Sequence, residues 1–509
     1  MKLVYISSII LIFSFPLFPQ VENRDQLLNN TVYNSAPENV KRSKAFVREW
    51  NFFQERAYPN NFIPPDAYSN ALLQMDALRK QNKNSKENLT WVSLGTTSGY
   101  YFQYGNISSR IVTGAYHPFN PYIIYIGAAD GGIWKSTDGG TNWIPLTDNQ
   151  PSMSMGAIAI DPVDPDIVYA GTGEATYSAV SYYERGLLKS TDAGITWSQI
   201  TAGLPSSSYF SRLIIRPNHP AELLAALGTS GLYSSIDTGK TWTLKYAGRC
   251  DDVVYFPGGD TAFAVGSGFG LIRSVNGGAQ FSTFGSGLPT SARMHMDLCS
   301  SNPSVMYAAN YTSTTFYVYK STDFGSTWIQ QVPPYNFNGG QAWYDMYCKV
   351  NPWNPNIVFI GTIDVYRSTN GGTSFSNITN GYSNGNVHVD NHYLFFHPID
   401  PNSMIICNDG GVWKSTNGGN SFLNMNQNLT LTQFYRITYS PFVPGRIIGG
   451  TQDNDTQQTY STINWQAAFG GDGGEVCFNP FNSNYILGET QNGGLVKTSD
   501  GGTNWADAT

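Results

Sequence analysis

Hydrophobic positions along the chain follow three successive patterns. An unbroken apolar run from Leu3 to Phe18, behind Lys2, predicts an export signal over residues 1–20, too short and too close to the start for a membrane span. Residues 21–89 then show helical spacing. Phe46, Trp50 and Phe53 stand at i, i+4 and i+7, and Ala71, Met75 and Leu78 repeat that spacing behind the helix-starting "PPD" at 64–66. Two short amphipathic helices are expected there, followed by the polar linker "KQNKNSKEN". Over residues 90–509 the pattern becomes short apolar runs of strand length, such as "GAIAI", "IVYAG" and "GLLKS", separated by Gly, Pro, Asp and Asn.

One turn punctuates this third region. It reads S-x-D/N-x-G-x-T/N/S-W/F and starts at Ser136, Ser190, Ser235, Ser274, Ser321, Ser368 and Ser415, with Thr498 in place of Ser. The last interval, 83 residues from Ser415 to Thr498, is about twice the others, and "STINW" at 461–465 is a worn copy near its middle, which makes nine modules. Each module orders four short strands around a Pro-rich turn, a Gly-containing loop and the repeated turn. A period of about 40 to 50 residues with several short strands per repeat is the signature of β-propeller blades. The expected fold is therefore all-β: a β-propeller of four-stranded blades, either one large ring or a seven-bladed ring plus the start of a second, behind a short helical N-terminal segment.

The repeated turn has a structural role. Its Asp or Asn accepts backbone N–H groups, its Ser hydroxyl adds another bond, Gly140 and its equivalents tolerate positive φ, and Trp143 and its equivalents bury a ring between sheets. An active site needs one constellation rather than nine copies, so the turn Asp is a fastener.

Composition agrees. Charged residues are 13 % of the chain against a usual value of about 25 %, and Gly-rich, aromatic-rich usage fits a turn-rich β protein. A net charge of -7 without any Lys/Arg block excludes nucleic acid as an expected partner. No second apolar run reaches membrane-crossing length, so a secreted or cell-surface protein is expected rather than an integral membrane one. Five cysteines, an odd number, do not form a disulfide framework; free buried thiols are expected.

The turn resembles the Asp-box, or BNR, repeat of sialidases, sortilin-type receptors, xyloglucan-degrading endoglucanases and photosystem II assembly factors. The resemblance covers roughly residues 90–509 and implies the fold, while these families do different things on one scaffold. The run "QAWYD", "HVDNH", "NDGG", "QFYRI", "GGTQDN" and "GGDGG" is also similar to secreted propellers of Bacteroidetes-type bacteria, many tagged at the C-terminus for type IX secretion. That machinery is an implied partner if a tag follows Thr509, where the chain is expected to be a fragment or to lack later domains.

Strand alternation puts the repeated turns on one face. On the other face are the loops joining strands two and three, together with the links between blades. That second face collects the unusual residues: Asp130, Glu174, Tyr177, Tyr182, Tyr183, Asp409, Gln452 and Asp453 on the former, and Trp343, Tyr344, Asp345, His388, Asp390, His392 and Asp472 on the latter. They form the expected ligand-binding face. With Tyr100, Tyr101 and Tyr104, its aromatics suit stacking on sugar rings or filling gaps between blades.

Three chemistries compete there. Xyloglucan-degrading endoglucanases carry one catalytic Asp on an early D-x-G-G loop and one on a later G-D-x-G-G loop, and Asp130 and Asp472 occupy similar contexts, as candidate general acid and base. Asp409 shares the loop context of Asp130, so the D-G-G motif can instead simply shape a turn. In an extended strand His388, Asp390 and His392 point one way, which suits a transition metal, although spacing indicates no fourth ligand. A polar plug in the channel is the simpler reading, and no metal or other cofactor is expected. Sialidase chemistry needs an arginine triad and an F/Y-R-I-P strand, and only "YRIT" at 435–438 comes near. The leading expectation is a non-catalytic binding or scaffold protein for glycan or for surface or secreted protein ligands; the alternative is a glycoside hydrolase using Asp130 and Asp472.

Overall fold

The computed structural model describes residues 93–508, apart from 97, 102, 177–185, 206–207, 313–314, 332–336, 338–340 and 461, and scattered positions between 41 and 80. The chain divides into two compact units, residues 1–92 with 178–180 and the remainder. In the first unit the described positions, among them Trp50, Ala71, Met75 and Leu78, are helical. The expected export signal, Phe46, Phe53, Tyr177, Tyr182 and Tyr183 lie outside the described residues.

The second unit is a β-propeller. Among the described residues nine sheets follow one another along the chain, each built on an antiparallel meander of four consecutive strands, and one of them is widened to six by two strands from the segment ahead of the first blade. Blades 1 to 7 span residues 111–145, 155–200, 212–246, 252–283, 293–330, 347–377 and 391–424. Their first strands neighbour one another in sequence, and that of blade 7 returns to that of blade 1. Seven blades thus close a ring, and two more, 434–469 and 476–507, follow it. In the ring the first strands line the axis and the fourth strands lie outside, as the exposed pair Ile144–Pro145 shows.

Ring closure rests on packing rather than on an exchanged strand. Ile111, Ile124, Ile126 and Trp134 of blade 1 share a core with Phe395, Ile405 and Val412 of blade 7. Trp143 adds its ring there and donates Nε1–H to the Met425 carbonyl at 2.9 Å. Gly140 is required by its φ of +96°, and its missing Cβ leaves room for the Met425 methyl. The chain enters the ring along a strap. Ser98–Tyr101 pairs in parallel with the last strand of blade 8, Gly105–Ile107 folds back on it, and Ser108 N–H donates to the Gly410 carbonyl of blade 7 at 2.8 Å. That strap delivers Arg110 to the ring interior.

The repeated turn closes on itself. Ser136 Oγ bonds Asp138 Oδ1 at 2.9 Å and accepts Gly140 N–H at 2.8 Å, while Asp138 Oδ1 accepts Asn142 N–H at 2.9 Å. The same bonds recur around Ser190, Ser321 and Ser415, with Asn417 replacing Asp in the last. Hydrogen bonds from Thr196 hold the Asp192 carboxyl down to about 2, and those from Thr327 do the same for Asp323. A depressed folded-state value stabilises the protein above the ordinary carboxylate range near 4, and this contribution is lost as pH falls through about 2. The melting temperature is therefore expected to drop between pH 4 and pH 2. Asp323→Asn should flatten the drop, because Asn already serves at 276, 370 and 417; thermal scans across that window check it.

Four cysteines are buried and Cys477 is exposed, and all five are free thiols. Among the described residues no helix is long and apolar enough to cross a membrane.

Candidate functional site

The two D-G-G loops, alike in sequence, differ in what they do with the carboxylate. In blade 1 the loop is shaped by its backbone: Gly131 and Gly132 donate N–H to the Met153 carbonyl at 3.0 and 2.7 Å, and Trp134 Nε1 donates to the Gly131 carbonyl at 2.9 Å. Gly132 has φ +76°, and a Cβ there would meet Thr147 Oγ1 at 2.1 Å. Asp130 takes no part in this. Among the described residues its carboxylate makes no hydrogen bond, and it is exposed. Surrounding protein pushes the carboxyl above its ordinary value and the Arg110 guanidinium pulls it back.

Asp409, at the same place in blade 7, is locked. Its carboxylate accepts Tyr344 Oη–H at 2.7 Å and pairs with His392 Nε2 at 2.6 Å, with under 2 % of its side chain exposed. Burial pushes the carboxyl up, but His392, Arg110 and Tyr344 outweigh it and hold the value at about 2. Arg110 stands at the centre of this network. Its guanidinium pairs with Glu174 through Nε at 2.7 Å and Nη2 at 3.1 Å, and donates Nη1–H to Tyr344 Oη at 2.5 Å. Glu174 comes from blade 2, Tyr344 from the link into blade 6 and Asp409 with His392 from blade 7, so three sectors of the ring converge on the cation that the strap delivers. Beneath it lies a cavity of about 50 Å³, lined by first-strand residues that include Thr113, Ala157, Arg212, His295 and Tyr393.

A second carboxyl group of residues lies where blade 8 meets the ring. Asp472 sits in "GGDGG", where Gly473 is forced: a Cβ would stand 2.4 Å from Thr456 Oγ1 and 2.5 Å from Gly450 Cα. Gly471 N–H donates to Asp455 Oδ1 at 2.9 Å and Gly473 N–H to the Thr451 carbonyl at 3.1 Å, which fixes the loop. Asp472 Oδ1 accepts Asp453 N–H at 2.7 Å. Asn454 Nδ2 donates to the Asp409 carbonyl oxygen at 3.0 Å, tying this loop to the locked network. Burial, with Asp409 and Asp472 as neighbours, drives the Asp453 carboxyl well above the usual range. Asp345 and Asp390 are driven up in the same way, by burial first and then by nearby carboxylates. Among the described residues, Asp345 has both oxygens buried without a hydrogen-bond partner, and Gln452 Oε1 and Asp390 Oδ1 are likewise buried and unpartnered.

The structure thus gathers Glu174, Tyr344, Asp409 and His392 into one network and Asp390, Asp409, Asp453 and Asp472 into one electrostatic group, with Arg110 acting on Asp130, Asp409 and Asp453 together. His388 does not line up with Asp390 and His392. Asp390 has φ +63° and the strand begins at Asn391, so the alternation that would aim the three one way is broken. The His388 ring bonds the Val389 carbonyl at 3.0 Å and packs on Tyr104, whereas His392 turns to Asp409. Among the described residues no three His, Cys, Asp or Glu side chains are placed to hold a metal. Sequence reasoning missed Arg110 and Asp455; a lone arginine in the serine-rich strap "NISSRIV" is the only signal Arg110 leaves.

No family model matches the chain. Among curated proteins it is 34% identical over 155 residues to a xyloglucanase from a Paenibacillus species, covering 26% of this chain and 15% of that one. It is 26% identical over 312 residues to a xyloglucanase of Acetivibrio thermocellus, covering 50% and 36%. The chain therefore spans about a third or less of these relatives' length. Among solved structures it superimposes on the GH74 xyloglucanase of Xanthomonas campestris with a TM-score of 0.64 at 17% identity, covering 82% of this chain and 68% of that one. A GH74 enzyme of Niastella koreensis gives 0.59 at 18% identity, with 81% and 67% covered. At such identities the structural likeness speaks to the propeller fold alone. The curated matches overturn the expectation of a non-catalytic binding scaffold, because the relatives are named as hydrolases and the sequence similarity favours the glycoside hydrolase alternative.

Proposed function

We propose that the chain is an extracellular glycoside hydrolase that cleaves a β-glucan of the xyloglucan type, with Asp130 and Asp472 as its working carboxyl groups. The observation that carries the reading is the contrast between the two D-G-G loops. If the motif only shaped a turn, both aspartates would be spent alike; Asp409 is locked by two side chains, whereas Asp130 is left open beside Arg110. A carboxylate that spends no hydrogen bond on its own loop, with its proton affinity raised by the surrounding protein and only partly offset by Arg110, suits a general base that activates water. Asp472, buried among other carboxyl groups, suits the acid that protonates the leaving oxygen. The xyloglucanase matches support xyloglucan as the substrate class. The test is release of reducing ends from xyloglucan by the full chain, with Asp130→Asn and Asp472→Asn alongside. Unchanged hydrolysis in both variants would remove the assignment.

A further inference from the structure

We propose that Asp453 is the positioning residue for Asp472, the two carboxyl groups holding one proton between them as the reserve for the acid step. Its catalytic consequence rests on the hydrolase reading; the shared proton itself does not.

The geometry is specific. Asp453 has φ +60° in the "TQDND" loop, a left-handed conformation that Asp tolerates better than bulkier residues, and this bend brings its N–H onto Asp472 Oδ1 at 2.7 Å. Its carboxyl then falls within hydrogen-bond reach of the same Asp472 group, and the contact raises its proton affinity. Two carboxylates this close do not both ionise, and the proton belongs to the pair rather than to either member. The surroundings decide that it stays. Asp409, held anionic by His392 and Arg110, presses on Asp453 with like charge, and Asp390, buried and itself driven up beside Asp409 and Asp472, supplies no cation to relieve it. Asp455 carries its own raised value of about 7. Against these stand the Arg110 cation, itself engaged by Glu174, and the neutral groups Tyr344, Tyr382 and His388.

In the acid step the glycosidic C–O bond breaks and the pair's proton passes through Asp472 to the leaving oxygen. The attacking water forms the new bond to the anomeric carbon and gives a proton to Asp130. One water is consumed, and the proton gained at Asp130 balances the one lost by the pair, returning through solvent.

Two measurements on the full chain test this. Infrared spectra at neutral pH should show protonated-carboxyl absorption that falls by one group in Asp453→Asn, by one in Asp472→Asn, and by no more than one in the double variant. Losses that add to two, or no loss, overturn the shared proton. In xyloglucan hydrolysis, Asp453→Asn should move the alkaline limb of the kcat profile down by about one pH unit or more, with Asp453→Glu restoring it. A limb that stays in place overturns the positioning role. If wild-type protein leaves xyloglucan intact while the infrared result holds, the hydrolase reading fails and the proton pair stands.

Discussion

Asp472→Asn is expected to lower xyloglucan hydrolysis by about 10²- to 10⁴-fold, the usual worth of a positioned general acid or base. The fold should survive it. Asn keeps an Oδ1 able to accept Asp453 N–H, and the loop is otherwise fixed by Gly471 and Gly473 through contacts that do not involve the carboxyl. A melting temperature close to wild type with activity lost therefore separates chemistry from folding. The leaving group gives a sharper division of roles. An aryl β-glucoside with a good leaving group needs little protonation, so the Asp472→Asn loss should shrink on it, while the Asp130→Asn loss should persist because water must still be activated. Equal losses on both substrates would reverse or remove the acid assignment to Asp472.

How much of this was legible in the sequence follows from which interactions are local. The repeated turn bonds Ser136 to Asp138 and Gly140, two and four residues away, so its spacing alone revealed nine blades and the face they fasten. Ring size was not legible, because closure depends on Ile111 and Trp143 meeting Phe395 and Met425 across nearly three hundred residues. For the same reason the sequence could not separate Asp130 from Asp409. Their D-G-G motifs are identical, and Tyr344 and His392, brought in from elsewhere in the chain, decide that one carboxylate is locked and the other open. The expected alignment of His388, Asp390 and His392 failed through backbone conformation: strand alternation presumes extended residues, and Asp390 at φ +63° is not one. The functional expectation failed on a different ground, since an incomplete catalytic set was read as none, and the relatives' identity as xyloglucanases corrected it.

Arg110 carries the largest expected effect on stability. It is fully buried, as are Glu174 and Asp409, and it is the cation that two of these carboxylates share. Removing one member of a buried ion pair leaves the other desolvated and uncompensated, which costs about 3–5 kcal/mol. Arg110→Met should cost about this much in denaturant titrations, with the unfolding midpoint falling and the m-value unchanged. The reverse comparison identifies the cause. Glu174→Gln combined with Arg110→Met removes both charges, and the double variant should be more stable than the sum of the two single losses predicts, because no orphaned ion remains. Strict additivity would mean that the pair is merely packed side by side. The same substitution reaches the site. Without Arg110 the Asp130 carboxyl loses the one cation that lowers it, so its proton affinity rises and the general base becomes ionised only at higher pH. The acid limb of hydrolysis should therefore move up in Arg110→Met, while the alkaline limb, which belongs to the Asp453–Asp472 pair, also rises as Arg110 ceases to oppose the proton there. A profile displaced upward on both limbs would tie the buried network to the open carboxylates it faces; an unshifted profile with lost stability would confine Arg110 to the fold.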